Sequence, residues 1–328
     1  MSLSKQRALV AEAIDDVHQE LSLQPDSSTL HMELGDLLDE HFDLVGGSRE
    51  DAIAEYKLAV RLDPSLGEAF FKLGRLLDYT SQTEDAVNAY HQVIALNPEH
   101  SAAHNELGNL LRRKGLLNEA ATHYQKGIAF SPKPFAEYYN LGRIYLDSER
   151  PADAAAAFMQ ALRLDADDRD VADAFRFLGV ALQKQGELDK AMEAYNSAIK
   201  LQPNYYEVHT DIGTVFQQQG HIDEAIACYA EALSFIPAYS FCRPDIALNY
   251  YNLADAFREK GHLETAVAYY RKAAKAQPND ADTYYNLGLT FQQQGKNTEA
   301  RRVFKKAMKI SPDSEFARLA QEALLQQP

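Results

Sequence analysis

YYNLG occupies residues 284–288 and again 138–142, and YYNLA occupies residues 250–254. The copies that begin at Tyr250 and Tyr284 are 34 residues apart, since 284 − 250 = 34. Self-similarity at a fixed period of this length is typical of proteins built from stacked supersecondary units. A 34-residue frame laid over the chain defines eight repeats, and residues are described below by their position within that frame.

Three positions of the frame carry the strongest pattern. Position 8 is small, position 20 is alanine in all eight repeats, and position 24 is always aromatic. Position 8 holds Gly35, Gly74, Gly108, Gly142, Gly179, Gly213, Ala254 and Gly288. Position 24 holds Tyr56, Tyr90, Tyr124, Phe158, Tyr195, Tyr229, Tyr270 and Phe304. Small residues allow two helices to approach closely, and we expect the aromatic rings to fill the space that they leave.

Each repeat predicts two helices joined by a short turn. Position 15 is glycine in five repeats, where the first helix must end with a left-handed residue. Proline closes seven of the eight repeats and ends the second helix. One such helix pair cannot bury its own apolar face, so we expect the stack of repeats to be the folding unit.

This pattern resembles the tetratricopeptide repeat (TPR) over nearly the whole chain. It departs from the family in having no tryptophan at position 4, because the chain contains none. The resemblance implies an all-α fold: an α-solenoid that forms a right-handed TPR superhelix of eight repeats with N- and C-terminal capping helices. It also implies that the first helices of the repeats line a concave groove that receives ligands.

The frame predicts the following organisation. A capping half repeat spans residues 1–27 and a capping helix spans 313–328. Insertions are expected in the inter-helix turn of the first repeat (residues 39–51), at 167–171 and at 238–246. The eight repeats are predicted at 28–64, 65–98, 99–132, 133–168, 169–203, 204–239, 240–278 and 279–312.

Composition limits the function. The chain has 328 residues and a net charge of −15, and phosphate binding requires a basic surface, so we expect no nucleic-acid partner. No apolar run is long enough to cross a membrane, and insertion into one is not expected. The two cysteines, Cys228 and Cys242, are too few for a disulfide framework. We therefore expect free thiols and a cytoplasmic location.

Positions 2, 5, 6, 9, 12 and 13 of the first helix fall on the face opposite its packed face. In YYNLG, the first tyrosine is then predicted to pack inside the repeat, and the second tyrosine and the asparagine to face the groove. Cationic residues on this face in repeats 2 to 5 predict a site for an acidic peptide segment. The predicted ligand-binding groove contains Lys72, Arg75, Asn105, Asn109, Arg112, Tyr139, Asn140, Arg143, Arg176, Tyr251, Asn252, Tyr285 and Asn286.

The sequence gives weaker support to other kinds of binding site. Position 6 resembles the asparagine ladder of O-GlcNAc transferase arrays only in part, because Glu106, Phe177 and Asp211 interrupt it. The clamp that holds heat-shock chaperone tails lacks its first lysine, which is Asn105 here, so it is not expected. His100 and His104 are four residues apart, but a buried structural role is favoured over a metal site. We find no catalytic residues and expect no metal or cofactor.

The sequence thus predicts a non-enzymatic scaffold that binds a segment of a protein partner. Two alternatives stay open. The chain could be the substrate-recruiting region of a larger glycosyltransferase-like enzyme, or a complex-assembly factor. A third, self-association through the ends of the array, is disfavoured by the predicted capping segments.

Overall fold

The structure, a computed structural model, describes residues 2–46, 48–236 and 244–325. Its described residues are helical, with no β-strand among them. Two compact units divide between Asp165 and Ala166. No helix in these ranges combines the length and apolarity that a bilayer crossing requires.

The first unit begins with one long helix, which is followed by four helix pairs. The bounds are α1 (Leu3–Leu23), α2 (Ser28–Val45), α3 (Glu50–Leu62), α4 (Gly67–Tyr79), α5 (Thr83–Leu96), α6 (Ser101–Arg113), α7 (Leu117–Phe130), α8 (Phe135–Asp147) and α9 (Pro151–Ala161).

The second unit contains four further pairs and one terminal helix. Its bounds are α10 (Asp168–Lys184), α11 (Leu188–Leu201), α12 (Tyr206–Gln218), α13 (Ile222–Phe235), α14 (Pro244–Glu259), α15 (Leu263–Ala276), α16 (Ala281–Gln293), α17 (Asn297–Ile310) and α18 (Glu315–Leu325). Within each unit, the two helices of a pair pack together and each pair packs on the next. The predicted all-α solenoid is confirmed.

Close contact between position 8 and position 24 holds each helix pair together. A Cβ atom built on Gly108 would lie 2.7 Å from Cε1 of Tyr124, closer than carbon atoms can pack. The Tyr124 ring is itself fully buried. The prediction that small residues at position 8 admit the aromatic ring is therefore confirmed.

The turn inside each pair needs a left-handed residue at position 15. Gly115 has φ of 77°, and the glycines at this position in the later repeats are similar. Ser81 and Glu149 occupy the same position in the second and fourth repeats and also have positive φ values, of 63° and 55°. The geometry of the turn is thus kept even where the residue is not glycine, at a cost in backbone strain.

The predicted capping helices pack on the first helix pair of the first unit and on the last helix pair of the second unit. In α1, Val10 and Val17 are buried, and the helix packs on α2. In α18, Ala317 and Ala320 are buried against α16 and α17.

The first insertion differs from its prediction. We expected it to lengthen the turn, whereas α2 continues as a helix to Val45 and ends at Gly46, with φ of 86°. The inserted residues include Glu40, His41 and Phe42, which are compatible with a helix, so the added length extends the helix instead.

The second insertion contains Asp167, which caps α10 by accepting a hydrogen bond from the backbone N–H of Asp170. Residues 238–243 of the third lie outside the described residues.

Candidate functional site

The inner face, defined here by positions 5, 6, 9 and 12 of the first helix of each pair, is the candidate site. The buried tyrosines at position 24 reach this face with their hydroxyl groups. Tyr124 Oη donates to Asn109 Oδ1 at 2.7 Å, and Tyr270 Oη donates to Asp255 Oδ1 at 3.0 Å. Burial raises the pKa of Tyr124 to about 12. These hydroxyls therefore remain protonated donors that orient the polar residues of the inner face.

Position 5 of one repeat bonds to position 6 of the next. Asn140 Nδ2 donates to Asn105 Oδ1 at 3.1 Å in the first unit. In the second unit, Arg176 Nε donates to Asp211 Oδ2 at 2.7 Å, and Asn286 Nδ2 donates to Tyr251 Oη at 2.9 Å. Five residues of the predicted groove thus stabilise the stacking of repeats and have part of their hydrogen-bonding capacity occupied.

The cationic residues of the first unit differ in how far they are already paired. Lys72 Nζ lies 2.7 Å from Asp36 Oδ2. Arg112 has a weaker contact, with Nη1 at 3.8 Å from Asp147 Oδ2. Its Nε atom is buried and has no hydrogen-bond partner among the described residues. Because the contact with Asp147 is long and the Arg112 side chain is partly exposed, the guanidinium can accept a carboxylate from a partner in place of Asp147.

Two further arginines lie on α4 and α8. Arg75 is exposed and lines a cavity of about 570 Å³ together with Arg113 and several carboxylates. Arg143 is half-buried, with its guanidinium carbon 5.9 Å from the centre of the Tyr139 ring. In the repeat frame, Arg75, Asn109 and Arg143 hold position 9 of three successive repeats.

A row of carboxylates on α2 is the feature that the sequence interpretation missed. Asp36, Asp39, Glu40 and Asp43 line or approach a cavity of about 230 Å³ beside Lys72 and Arg75. Their spacing places all four on one side of a helix, a signal that was present in the sequence. Arg49 compensates two of them, since Nε lies 2.6 Å from Asp39 Oδ1 and the guanidinium also contacts Asp43. The inner face of the first two repeats is therefore mixed in charge.

The second tyrosine of each YYNL phrase packs against the position-24 ring of its own repeat. The ring centres are 5.9 Å apart for Tyr139 and Phe158, and 5.6 Å apart for Tyr251 and Tyr270. Tyr285 lies between Phe304 and Phe316, and burial raises its pKa. All three tyrosines are half-buried, as is Asn252, so each offers only part of its surface to a ligand.

Asp282 is a partly buried carboxylate with a strongly raised pKa. Burial, reinforced by the neighbouring charge of Asp280, raises its pKa to about 6. Asn286 Nδ2 donates to Asp282 Oδ1 at 2.5 Å, and Tyr251 Oη donates to the same oxygen at 3.3 Å. These hydrogen bonds offset only part of the cost of burying the charge.

We expect Asp282→Asn to stabilise the protein near neutral pH but not in acid. A raised native pKa means that the contribution of Asp282 to stability is complete below its unfolded pKa and is lost as pH rises through about 6. The variant keeps the acceptor oxygen and never ionises. Its free energy of unfolding should match that of the wild type at about pH 4 and exceed it by about 1–2 kcal/mol at about pH 7. Urea denaturation at both pH values measures this, and an equal difference at both would contradict it.

The histidines at position 4 are structural. His104 is buried, and its Nε2 lies 3.0 Å from the carbonyl oxygen of Pro98. His31 and His209 make the same contact with Pro25 and Pro203, at 2.9 Å each. The predicted core role of His104 is confirmed. His100 caps the N-terminus of α6, with Nδ1 accepting from the backbone N–H of Ala103.

Cys228 is a free cysteine, and burial raises the pKa of its thiol to about 11. It is therefore a poor nucleophile at neutral pH. Cys242, predicted to be a second free thiol, lies outside the described residues.

The fold and the polar inner face define a helical-repeat protein of the interaction-scaffold class. Tetratricopeptide repeat models match residues 71–133, 139–206, 206–239 and 281–314, and a TPR repeat model matches residues 254–295. These matches cover most of the sequence between residues 71 and 314. The chain belongs to the tetratricopeptide repeat family.

One solved structure gives the same result for the fold, and two further ones are similar to parts of this chain. The crystal structure of the APC/C hetero-tetramer Cut9-Hcn1 aligns over 96% of this chain and 59% of that chain, with a TM-score of 0.63 and 18% identity. This chain thus spans less than two thirds of the length of that one. MamA protein aligns over 52% of this chain and 91% of its own, with a TM-score of 0.47 and 26% identity. YrrB, described as a TPR protein with an unusual peptide-binding site, aligns over 72% and 99%, with a TM-score of 0.40 and 22% identity. A search of curated proteins found no match.

Proposed function

We propose that this chain is a non-enzymatic scaffold and that the inner face of its first unit binds an acidic segment of a protein partner. The guanidinium of Arg112 carries the proposal, because its side chain is 23% exposed and its contact with Asp147 is long, at 3.8 Å, so a carboxylate of a partner can replace that contact. Arg75 and Arg143 lie on the neighbouring first helices, so an extended segment that crosses the repeats would meet the three arginines in succession.

The cations of the inner face are expected to contribute unequally to the free energy of binding. A hydrogen bond to a charged group that is partly removed from water is worth about 1.5–3 kcal/mol, whereas an exposed ion pair gives 1 kcal/mol or less. Arg112 is the best placed of the three, because its side chain is only 23% exposed. Lys72 already has Asp36 as a partner and would have to exchange one carboxylate for another.

The test begins with selection of binders to the full chain from a library of random peptides. Affinities of the selected acidic peptides are then measured for the wild type and for the variant R75E/R112E/R143E. Reversal of three arginines should lower affinity about tenfold or more while leaving the helical circular dichroism signal unchanged.

The matched control is K57E/R61E/R163E, which changes the net charge equally and alters exposed residues of the same unit outside the inner face. We expect it to change affinity by no more than about twofold. If both triple variants weaken the peptides equally, only net charge matters and the inner-face site is wrong.

A further inference from the structure

A cavity of about 410 Å³ lies between α15, α16 and α17. Its floor includes Tyr284 and Phe291, which are buried and belong to the packed face of α16 and not to its inner face. The cavity is therefore separate from the candidate site described above. Its size is within the range of pockets that hold a few side chains of a bound ligand.

Four exposed cations form the rim of this cavity. Arg271 and Lys275 extend from α15, and Arg302 and Lys306 extend from α17. Among the residues that the structure describes, no carboxylate lines the cavity, although the chain as a whole carries a net charge of −15. Within the described ranges none of the four forms an ion pair, in contrast to Lys72 and Arg176 on the inner face.

The cations and the aromatic floor are already in contact. Lys306 Nζ lies 4.2 Å from the centre of the Tyr284 ring and donates a hydrogen bond to its Oη at 2.7 Å. The Arg271 guanidinium carbon lies 5.7 Å from the centre of the Phe291 ring. These contacts hold two of the charges beside the apolar floor, where a bound anion would relieve the repulsion between four like charges.

The repeat frame provides an internal comparison. The four rim residues occupy positions 25 and 29 of repeat 7 and positions 22 and 26 of repeat 8. The same four positions hold Ala230, Ser234, Ala268 and Lys272 between repeats 6 and 7, and Gln125, Ala129, Ala156 and Gln160 between repeats 3 and 4. Four cations are thus a property of this one junction and do not follow from the repeat pattern.

We infer that this basic cavity binds a second protein segment, one in which acidic residues flank an apolar side chain. The carboxylates would contact the four rim cations, and the apolar side chain would lie on Tyr284 and Phe291. Because no intramolecular ion pair must be broken, each new contact adds to affinity without that cost. The two surfaces together would allow the scaffold to hold two acidic segments.

The probe is a short fluorescent peptide with one phenylalanine flanked on both sides by aspartate and glutamate. Its affinity for the full chain is measured by fluorescence anisotropy in the wild type and in R271E/R302E. The control variant K272E/K305E alters exposed cations on the same two helices and changes the net charge equally, but neither residue lines the cavity. We expect about a tenfold loss for R271E/R302E and about twofold or less for the control.

Three comparisons test whether the peptide binds in the basic cavity and through the proposed contacts. Replacing the phenylalanine of the peptide with serine should weaken binding severalfold at constant charge, and no change would remove the role of the apolar floor. The variant R75E/R112E/R143E should bind the peptide as the wild type does, and loss of binding would place the peptide on the inner face. An oligothymidylate of equal charge that competes as well as the peptide would overturn the assignment to a protein segment.

Discussion

Gly213→Leu is expected to destabilise the second unit by about 3 kcal/mol, the upper part of the usual range for overpacking. A Cβ atom at residue 213 would lie 2.6 Å from Cε1 of Tyr229. The Tyr229 ring is fully buried, and its Oη donates to Gln217 Oε1 at 2.9 Å. The ring therefore cannot move aside without losing both its packing and its hydrogen bond. Leucine is preferred to alanine for the test, because Ala254 holds the equivalent position 8 of another repeat and shows that a methyl group can be accommodated there.

Denaturation by guanidinium chloride, followed by circular dichroism, measures the effect. Gly67→Leu is the control, since a Cβ atom at residue 67 would meet only Leu96 Cδ1, at an ordinary distance of 3.8 Å. We expect the control to change stability by about 0.5 kcal/mol or less. An unchanged midpoint for Gly213→Leu would mean that the close approach of position 8 to the ring does not hold the pair together.

The fold was predictable because its determinants recur with the repeat period. The contact between Gly213 and Tyr229 has the same spacing as the contact between Gly108 and Tyr124, so the pattern could be recognised from the sequence alone. The conformation of the first insertion was not predictable in this way. The inserted residues of α2 have no equivalent in the other repeats, so the repeat pattern gives no information about their conformation. Only local helix propensity could have indicated that they continue the helix.

The sequence predicts which positions form the inner face, but it does not predict which side chains on that face bond to one another. Helical periodicity assigns Asn140 and Asn286 to this face; Asn140 is half-buried, whereas Asn286 is buried. It does not show that Asn140 bonds to Asn105 or that Asn286 bonds to Tyr251, residues 35 positions away in the preceding repeat. Those pairs depend on how far one repeat is rotated against the next, which a single sequence does not reveal. For the same reason the prediction counted Lys72 as a cation open to a ligand, although Asp36 already contacts it.

Arg176→Met is expected to destabilise the second unit by about 3 kcal/mol at neutral pH, because it leaves a buried carboxylate without its partner. The side chains of Arg176 and Asp211 are only 22% and 19% exposed, and Arg176 Nε donates to Asp211 Oδ2 at 2.7 Å. The Arg176 guanidinium carbon lies 5.3 Å from the centre of the Phe177 ring and 5.8 Å from that of Tyr205. Methionine keeps the apolar length of the side chain and places its sulfur beside these two rings, so most of the packing is retained.

The loss should depend on pH in a direction that identifies its cause. Burial raises the pKa of Asp211, and the charge of Arg176 opposes that rise. Without Arg176 the native pKa of Asp211 rises further above its unfolded value. A group of this kind contributes stability below its unfolded pKa and loses it as pH increases through the native pKa. The difference between Arg176→Met and the wild type should therefore decrease as pH is lowered toward about 4.

The double variant R176M/D211L separates loss of the pair from loss of packing. Replacing both members of a buried ion pair with apolar residues is often neutral or stabilising, whereas removing one member is costly. We therefore expect the double variant to recover most of the stability that Arg176→Met loses, and to show no such pH dependence. A double variant as unstable as the single one would place the cost in packing. A single variant that loses less than about 1 kcal/mol at every pH would show that water screens the pair as it does on an exposed surface. Either result would remove the Arg176–Asp211 contact from the interactions that hold α10 against α12.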